Sequence, residues 1–335
     1  MTGDKDSREG AITAFLQRHG YGAARVTPLA QDASLRRYLR VADGPRPAIL
    51  MDAPPPEDVR PFRRMAAHLA GIGLSVPAII AADEPAGLLL EEDLGDDLFP
   101  AMLTPDTGPA LFDAAVDALV ALQRAAPPDD LPAWDAAAMI QATVGVLFDW
   151  WWPAAFGSPA PPAARADVGA ALAAMLAPLA AGPSCLVHRD FFAGNLIWLP
   201  RREGVRRVGI LDFQGAAIGH PAYDLVSLLQ DARRDIPAAI GTGAINRYLA
   251  ARPELDPAAF RTAYAVCAAQ RHLRVATQWV RLARREGRPQ YLSHGPRTWR
   301  LLDDALRHPA TTPLDVALDR WIPPARRGNP PGLAA

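Results

Sequence analysis

The apolar positions of this chain first repeat at helical spacing. Ile12, Phe15 and Leu16 share one face of Glu9–His19, and Gly20 stops the run. Strand-like runs follow at Ala24–Leu29, Leu35–Val41 and Pro47–Ala53, the last closed by Pro54–Pro56. Val59, Phe62, Ala66 and Leu69 then recur on one face of a helix predicted over Asp58–Gly71, and Val76–Ala82 and Gly87–Glu91 read as two more short strands. From Leu98 the pattern turns helical. Thr107–Arg124, Trp134–Trp152 and Ala163–Ala180 are predicted helices, with loops at Pro127–Pro132 and Gly157–Pro162. Three short apolar runs, Cys185–Val187, Leu196–Leu199 and Val208–Leu211, interrupt this pattern. Helical spacing resumes over Tyr223–Leu229, Ala238–Ala251, Pro257–Glu286 and Gln290–Arg307. No internal repeat is visible.

The bulk composition narrows the class. Half of the 335 residues are hydrophobic, ample for two packed lobes. A formal net charge of −1 argues against a dedicated nucleic-acid binder. Cys185 and Cys267 are too few and too far apart for a disulfide framework or a zinc site, which suits a reducing cytoplasm. Met1–Gly10 is polar and charged, unlike a signal peptide, and no apolar run is expected to reach membrane-spanning length. Neither a membrane nor a protein partner is expected. The tail Pro323–Ala335, rich in Pro, Gly and Arg, is predicted to be mobile.

The chemistry concentrates in HRDFFAGN (His188–Asn195) and in Asp212, which closes the run Val208–Leu211. Five residues from Asp190 to Asn195 let one tight loop send both side chains into a cleft, and Asp212 would reach it from the next strand. Phosphoryl transfer needs such a set. Asp190 can accept the proton of an attacking hydroxyl, and Asn195 and Asp212 offer hard oxygens for Mg²⁺ on the phosphates of ATP. In the kinase-like folds that this motif resembles, the histidine braces the loop, so His188 is expected to be structural, with Asp224 supporting the loop by hydrogen bonds or simply capping the next helix.

These residues resemble the aminoglycoside phosphotransferase and choline kinase superfamily over nearly the whole chain. The shared marks are LVHRDFFAGNLIW (Leu186–Trp198), GILDFQ (Gly209–Gln214) and GHPAYDL (Gly219–Leu225). DASLRRYLRV (Asp32–Val41), ILMDAPPPEDVRPF (Ile49–Phe62), LLLEEDLGDDLF (Leu88–Phe99), His220–Asp235 and Tyr291–Pro309 are similar, more narrowly, to the bacterial N-acetylmuramate/N-acetylglucosamine anomeric kinases of peptidoglycan recycling. The resemblance implies an α+β, bilobal, protein-kinase-like fold: a small antiparallel sheet lobe with one packed helix, and a larger, mainly helical lobe. Residues 1–92 would form the nucleotide lobe, 93–95 the hinge and 96–322 the catalytic lobe. It also implies ATP-dependent phosphorylation of the C1 hydroxyl of the amino sugar, giving the α-1-phosphate.

Phosphate and sugar contacts are less legible. Gln31–Ser34 contains no glycine, but Ser34 can offer a hydroxyl and a backbone N–H to phosphate. Strand three, Ala48–Asp52, lacks the lysine that kinase-like enzymes place there, and Lys5 is the only lysine in the chain. Strand alternation puts Arg37 with Leu35, Leu39 and Val41, so Arg37 is the expected phosphate cation, with solvated strand arginines as the plainer reading. Asp52 is then expected to pair with Arg63 or Arg64. Backbone groups from Glu92 through Leu94 to Gly95 are expected to pair with adenine. Gln214, Asp231 and Arg234, with Gln270, Arg271 and Arg274 on one side of a long helix, are the sugar-binding candidates. A cation there would suit the lactyl carboxylate of N-acetylmuramate. Asp149–Trp152 reads first as core packing.

Two rival functions remain open. An aminoglycoside kinase would want acids, not arginines, around a polycationic substrate. A nucleotide-binding pseudokinase would account for the missing lysine, but has no physical reason to keep Asp190, Asn195 and Asp212 together.

Overall fold

The structure is a computed structural model that describes residues 2–29 and 36–333. It opens with helix α1 (Thr2–Arg18), strands β1 (Arg25–Pro28), β2 (Arg37–Ala42) and β3 (Ala48–Asp52), helix α2 (Arg60–Gly71), strands β4 (Ile79–Asp83) and β5 (Leu88–Glu92), and the single turn α3 (Phe99–Met102). The chain continues through α4 (Gly108–Arg124), β6 (Ala133–Trp134), α5 (Ala136–Val146), α6 (Trp152–Phe156), α7 (Pro162–Leu176) and β7 (Cys185–Val187). The hairpin β8 (Leu196–Trp198) and β9 (Val208–Ile210) follows. Last come β10 (Ala217–Gly219), α8 (Ala222–Leu229), α9 (Ala238–Ala251), α10 (Pro257–Arg285), α11 (Gly295–Leu306) and α12 (Thr312–Trp321).

Two compact units result. The first comprises Met1–Met102 with Gly194–Gln214, and the second Leu103–Ala193 with Gly215–Ala335. In the first, β1-β2-β3-β5-β4 form an antiparallel sheet. Alternation along the strands sends Val41, Leu50, Leu88 and Leu90 to one face, where Ile12, Phe15 and Leu16 of α1 complete an apolar core. Ile49, Met51, Leu89 and Glu91 alternate to the other face. The β8–β9 hairpin belongs here because Ser75 bridges Gly209, Leu98 bridges Ile197, and the Trp198 N–H donates to the Asp97 carbonyl at 2.8 Å. Residues 93–95 lie within this unit.

The second unit is mainly helical, with a small sheet ordered β6-β10-β7. Helix α10 runs 29 residues, starting where the Asp256 carboxylate accepts the Ala259 N–H at 2.7 Å. The tryptophan run packs inward: Trp151 and Trp152 are buried, and residues Leu147–Trp151 form a π-helical turn rather than a regular helix.

Two expectations need correction. The continuous helical run Pro162–Ala181 is 20 residues long and apolar enough to span a bilayer by composition alone. Its charges Arg165 and Asp167 instead pair with Asp149 and Arg320. The tail is also tied down where described. The Arg326 guanidinium donates to the Ala155 carbonyl at 3.0 Å, Asn329 to Leu292 at 2.8 Å, and the Gly328 carbonyl accepts the Trp151 indole N–H at 2.9 Å. Its arginines and backbone thus find partners far away in sequence, which composition cannot reveal.

Candidate active site

In the second unit, β7 ends at Val187 and the chain turns sharply, with Arg189 at φ 74°. A non-glycine residue in this region costs of order 1–3 kcal/mol. The Asp224 carboxylate at the start of α8 holds the turn, accepting the His188 N–H at 2.6 Å and the Arg189 N–H at 2.8 Å. Burial pushes the Asp224 carboxyl up against these hydrogen bonds. The His188 ring is buried against Phe191, and its Nδ1 accepts the Asp190 N–H at 3.3 Å.

This turn delivers Asp190 among cations. Arg271 Nη1 lies 3.6 Å from Asp190 Oδ1 and donates to the Arg189 carbonyl at 3.4 Å. Burial works against ionisation of Asp190, but the charges of Arg271, Arg274, His188 and Arg189 outweigh it and hold the carboxyl below the usual carboxylate range. Arg274 bonds the Tyr223 hydroxyl at 3.4 Å, and Arg189 stacks on Trp134 at 3.9 Å. Asp231, 2% exposed, accepts the Arg233 N–H at 2.9 Å, and Arg234 Nε lies 3.6 Å from its other oxygen.

In the first unit, β8 and β9 pair so that Leu196 faces Ile210, and the Leu211 N–H donates to the Asn195 carbonyl at 2.9 Å. Asn195 and Asp212 therefore flank the same end of one hairpin. Asn195 is buried, whereas Asp212 is exposed and held at φ 58°. A carboxylate and an amide oxygen, both hard donors, fit Mg²⁺, with phosphate oxygens and water completing its shell. Among the described residues there is no cluster of three or more His, Cys, Asp or Glu suited to a metal.

Several expected residues lie elsewhere. Gln214 Nε2 donates to Asp212 Oδ1 at 2.6 Å, within its own unit. Gln270 is fully buried and donates to the Met139 carbonyl and Thr143 hydroxyl of α5. It sits about 100° around the helix from Arg271. Ser34 lies outside the described residues. The Glu92 N–H is taken by the Ala78 carbonyl and its carboxylate by Arg202, at 2.9 and 2.7 Å. The backbone of Leu94, by contrast, makes no hydrogen bond among the described residues.

The missing lysine resolves differently from expectation. Arg37 does share the face of Leu39 and Val41, but there it meets Asp52, directly opposite on β3, with Nε 2.7 Å from Oδ2. Asp52 also accepts Arg8 Nε of α1 at 2.8 Å, while Arg63 goes to Glu84. Arg37 is thus neutralised by a buried acid. Arg36 precedes β2 on the opposite alternation, with Tyr38. It pairs with Glu57 just before α2 at 3.1 Å, and its charge is felt by Tyr38 and Glu91; Asp212 acts on Tyr38 as well. Sequence alone does not separate the two arginines, because only pairing between strands shows which one already holds a buried acid.

A cavity of about 220 Å³ in the second unit, lined by Leu255, Phe260 and His220, includes none of these residues. Burial pushes the His220 imidazole down to about 4.

Comparison with known proteins places this arrangement. Residues 25–260 match the model of the phosphotransferase enzyme family. The chain belongs to that family. It is 38% identical, over 94% of its length and 97% of the relative's, to the N-acetylmuramate/N-acetylglucosamine kinase of Caulobacter vibrioides. The Pseudomonas aeruginosa protein of that name is 36% identical over 88% of each chain. Among solved structures, a choline/ethanolamine kinase family protein from Mesorhizobium loti matches with a TM-score of 0.65 at 18% identity, covering 96% of this chain and 100% of that one. The kinase-like α+β fold implied by the motifs is the fold observed.

Proposed function

We propose that this phosphotransferase moves the γ-phosphoryl group of ATP to the anomeric C1 hydroxyl of N-acetylmuramate and N-acetylglucosamine. The product would be the α-1-phosphate used in peptidoglycan recycling in the cytoplasm. The carrying observation is the near full-length likeness to a relative named for both sugars. The position, anomer and pathway come from the family resemblance.

Asp190 orients the sugar hydroxyl and takes its proton as the oxygen bonds to phosphorus and the bridging oxygen leaves with ADP. A carboxylate this weakly basic suits late proton transfer. Arg271 and Arg274 keep it ionised, and Asp224 fixes the turn that presents it. Asn195 and Asp212 would hold Mg²⁺, which when bound neutralises charge on the phosphate oxygens. Arg36, braced by Glu57, supplies the phosphate-binding cation that the lysine-free third strand lacks. The backbone groups of Leu94, without a hydrogen bond among the described residues, suit the adenine edge. The arginines around Asp190 are unfavourable for a polycationic aminoglycoside.

Phosphorus NMR of the products from the two amino sugars and from kanamycin tests the reading. An anomeric phosphate on an amino sugar is the expected result. Phosphorylation of kanamycin alone would overturn it.

A further inference from the structure

The arginines of the second unit are mostly committed. Arg271 lies against Asp190, Arg234 against Asp231, and Arg297 and Arg300 against Asp235. Arg274 bonds Tyr223, and Arg189 stacks on Trp134 while donating to the Gly215 carbonyl. Arg233 differs. Its guanidinium lies 4.1 Å from the ring centroid of Phe192 and 5.5 Å from that of Trp279. Its charge is felt by Asp231, but its side chain has no acid within 4 Å and makes no hydrogen bond among the described residues.

The mounting of Arg233 is rigid. Its N–H donates to Asp231, and its carbonyl accepts Arg297 Nη1 at 3.0 Å. Phe192 and Trp279 are both buried, and Trp279 is backed by Tyr291 in a stack tilted only 7°. Cation–π stacking holds the guanidinium flat and leaves its edge donors directed away from the rings. Phe192 is two residues beyond Asp190 and donates its N–H to the Asp190 carbonyl at 3.1 Å. A half-buried, pre-oriented cation with no ion pair within 4 Å among the described residues is thus joined through Phe192 to the loop that carries Asp190.

We propose that Arg233 binds the carboxylate of the acceptor and sets the preference between the two sugars. N-acetylmuramate carries a lactyl carboxylate that N-acetylglucosamine lacks, and a planar guanidinium matches a carboxylate with two parallel hydrogen bonds. The proposal rests on the sugar-kinase reading above.

The test compares wild type, Arg233→Gln and Arg233→Lys on N-acetylmuramate, its methyl ester and N-acetylglucosamine. In wild type, esterification is expected to lower kcat/KM about tenfold or more, through KM, as for loss of a charge-assisted hydrogen bond. In Arg233→Gln the acid and the ester should be used equally well, and Arg233→Lys should restore part of the difference because it keeps charge without the fork. Indifference of wild type to esterification, or equal losses on acid and ester in Arg233→Gln, would overturn the assignment while leaving the kinase reading intact. Wild type inactive on all three sugars would instead remove the kinase reading and this assignment with it.

Discussion

Arg36 Nε lies 3.1 Å from Glu57 Oε2, joining the start of β2 to the turn before α2. One residue further on, Arg37 points the other way and is held by the buried Asp52. The two arginines should therefore fail differently. Arg36→Gln is expected to raise the ATP KM about tenfold, as for a lost charged hydrogen bond to phosphate. Arg37→Gln should leave the ATP KM within twofold or so and cost about 1 kcal/mol of stability, since Arg8 still faces Asp52 and the pair is partly exposed. Steady-state kinetics with urea unfolding of both variants separates the effects. A kinetic loss confined to Arg37→Gln would reverse the assignment.

Asp190→Asn is expected to lower kcat by about 10²–10⁴-fold, the usual worth of a positioned base, with little change in unfolding temperature. Arg271→Gln is the more informative variant. Asp190 titrates below its ordinary value of 3.8 because neighbouring cations outweigh its burial, so wild-type kcat/KM should stay level through mildly acidic pH. With Arg271 gone, burial gains weight and the acidic limb should move up. The same shift has a stability sign. The depressed carboxyl stabilises the fold above 3.8, and this contribution is lost as pH falls through the lower folded value. Profiles that superimpose in wild type and Arg271→Gln would exclude Arg271 as the charge that tunes Asp190.

Gln214 donates to the carboxylate proposed to hold Mg²⁺, so it should behave as a positioning residue of the metal. Gln214→Ala is expected to raise the half-saturating Mg²⁺ concentration about tenfold, as outer ligand partners commonly do, without changing the sugar KM. Asp212→Asn should raise it at least as far. Initial rates against Mg²⁺ at saturating ATP decide the matter. A sugar-KM effect with unaltered Mg²⁺ dependence would return Gln214 to the acceptor pocket.

Periodicity located the sheet strands, α2 and α10 to within a few residues, because their apolar positions repeat regularly, whereas α1 begins at Thr2, well ahead of its predicted start at Glu9, where the residues are polar and carry no apolar face. The loop bearing Asp190 and the hairpin bearing Asn195 and Asp212 were legible for a different reason: their chemistry is written at short spacing. What escaped was relational. Arg37 sits on the anticipated face, yet its anion comes from β3 through the register Arg37↔Asp52. Gln270 and Arg271 are neighbours in sequence but look about 100° apart. Strands β6 and β10 are too short to show alternation. Helix α12 lies between the last predicted helix and the Pro323–Ala335 tail, where no element was assigned although Leu314, Ala317 and Leu318 have helical spacing.

Glu91 offers a test of the sheet's second face. It is 4% exposed on β5, and its Oε2 has no hydrogen bond among the described residues. Burial pushes its carboxyl from 4.5 up to about 8, against the opposing charge of Arg36. The unfolded chain therefore gives up this proton near 4.5, while the folded chain keeps it to about 8. Between those values unfolding releases a proton, so rising pH favours the unfolded state. The slope from this one group approaches about 1.4 kcal/mol per pH unit at most. Glu91→Gln keeps the shape and removes the titration. Its stability advantage over wild type should be small near the lower value and grow steadily towards the upper one. Urea unfolding of both proteins across that interval is the measurement. Parallel curves would mean that Arg36 holds Glu91 ionised throughout, and that the strand carries a buried ion pair in place of a neutral acid.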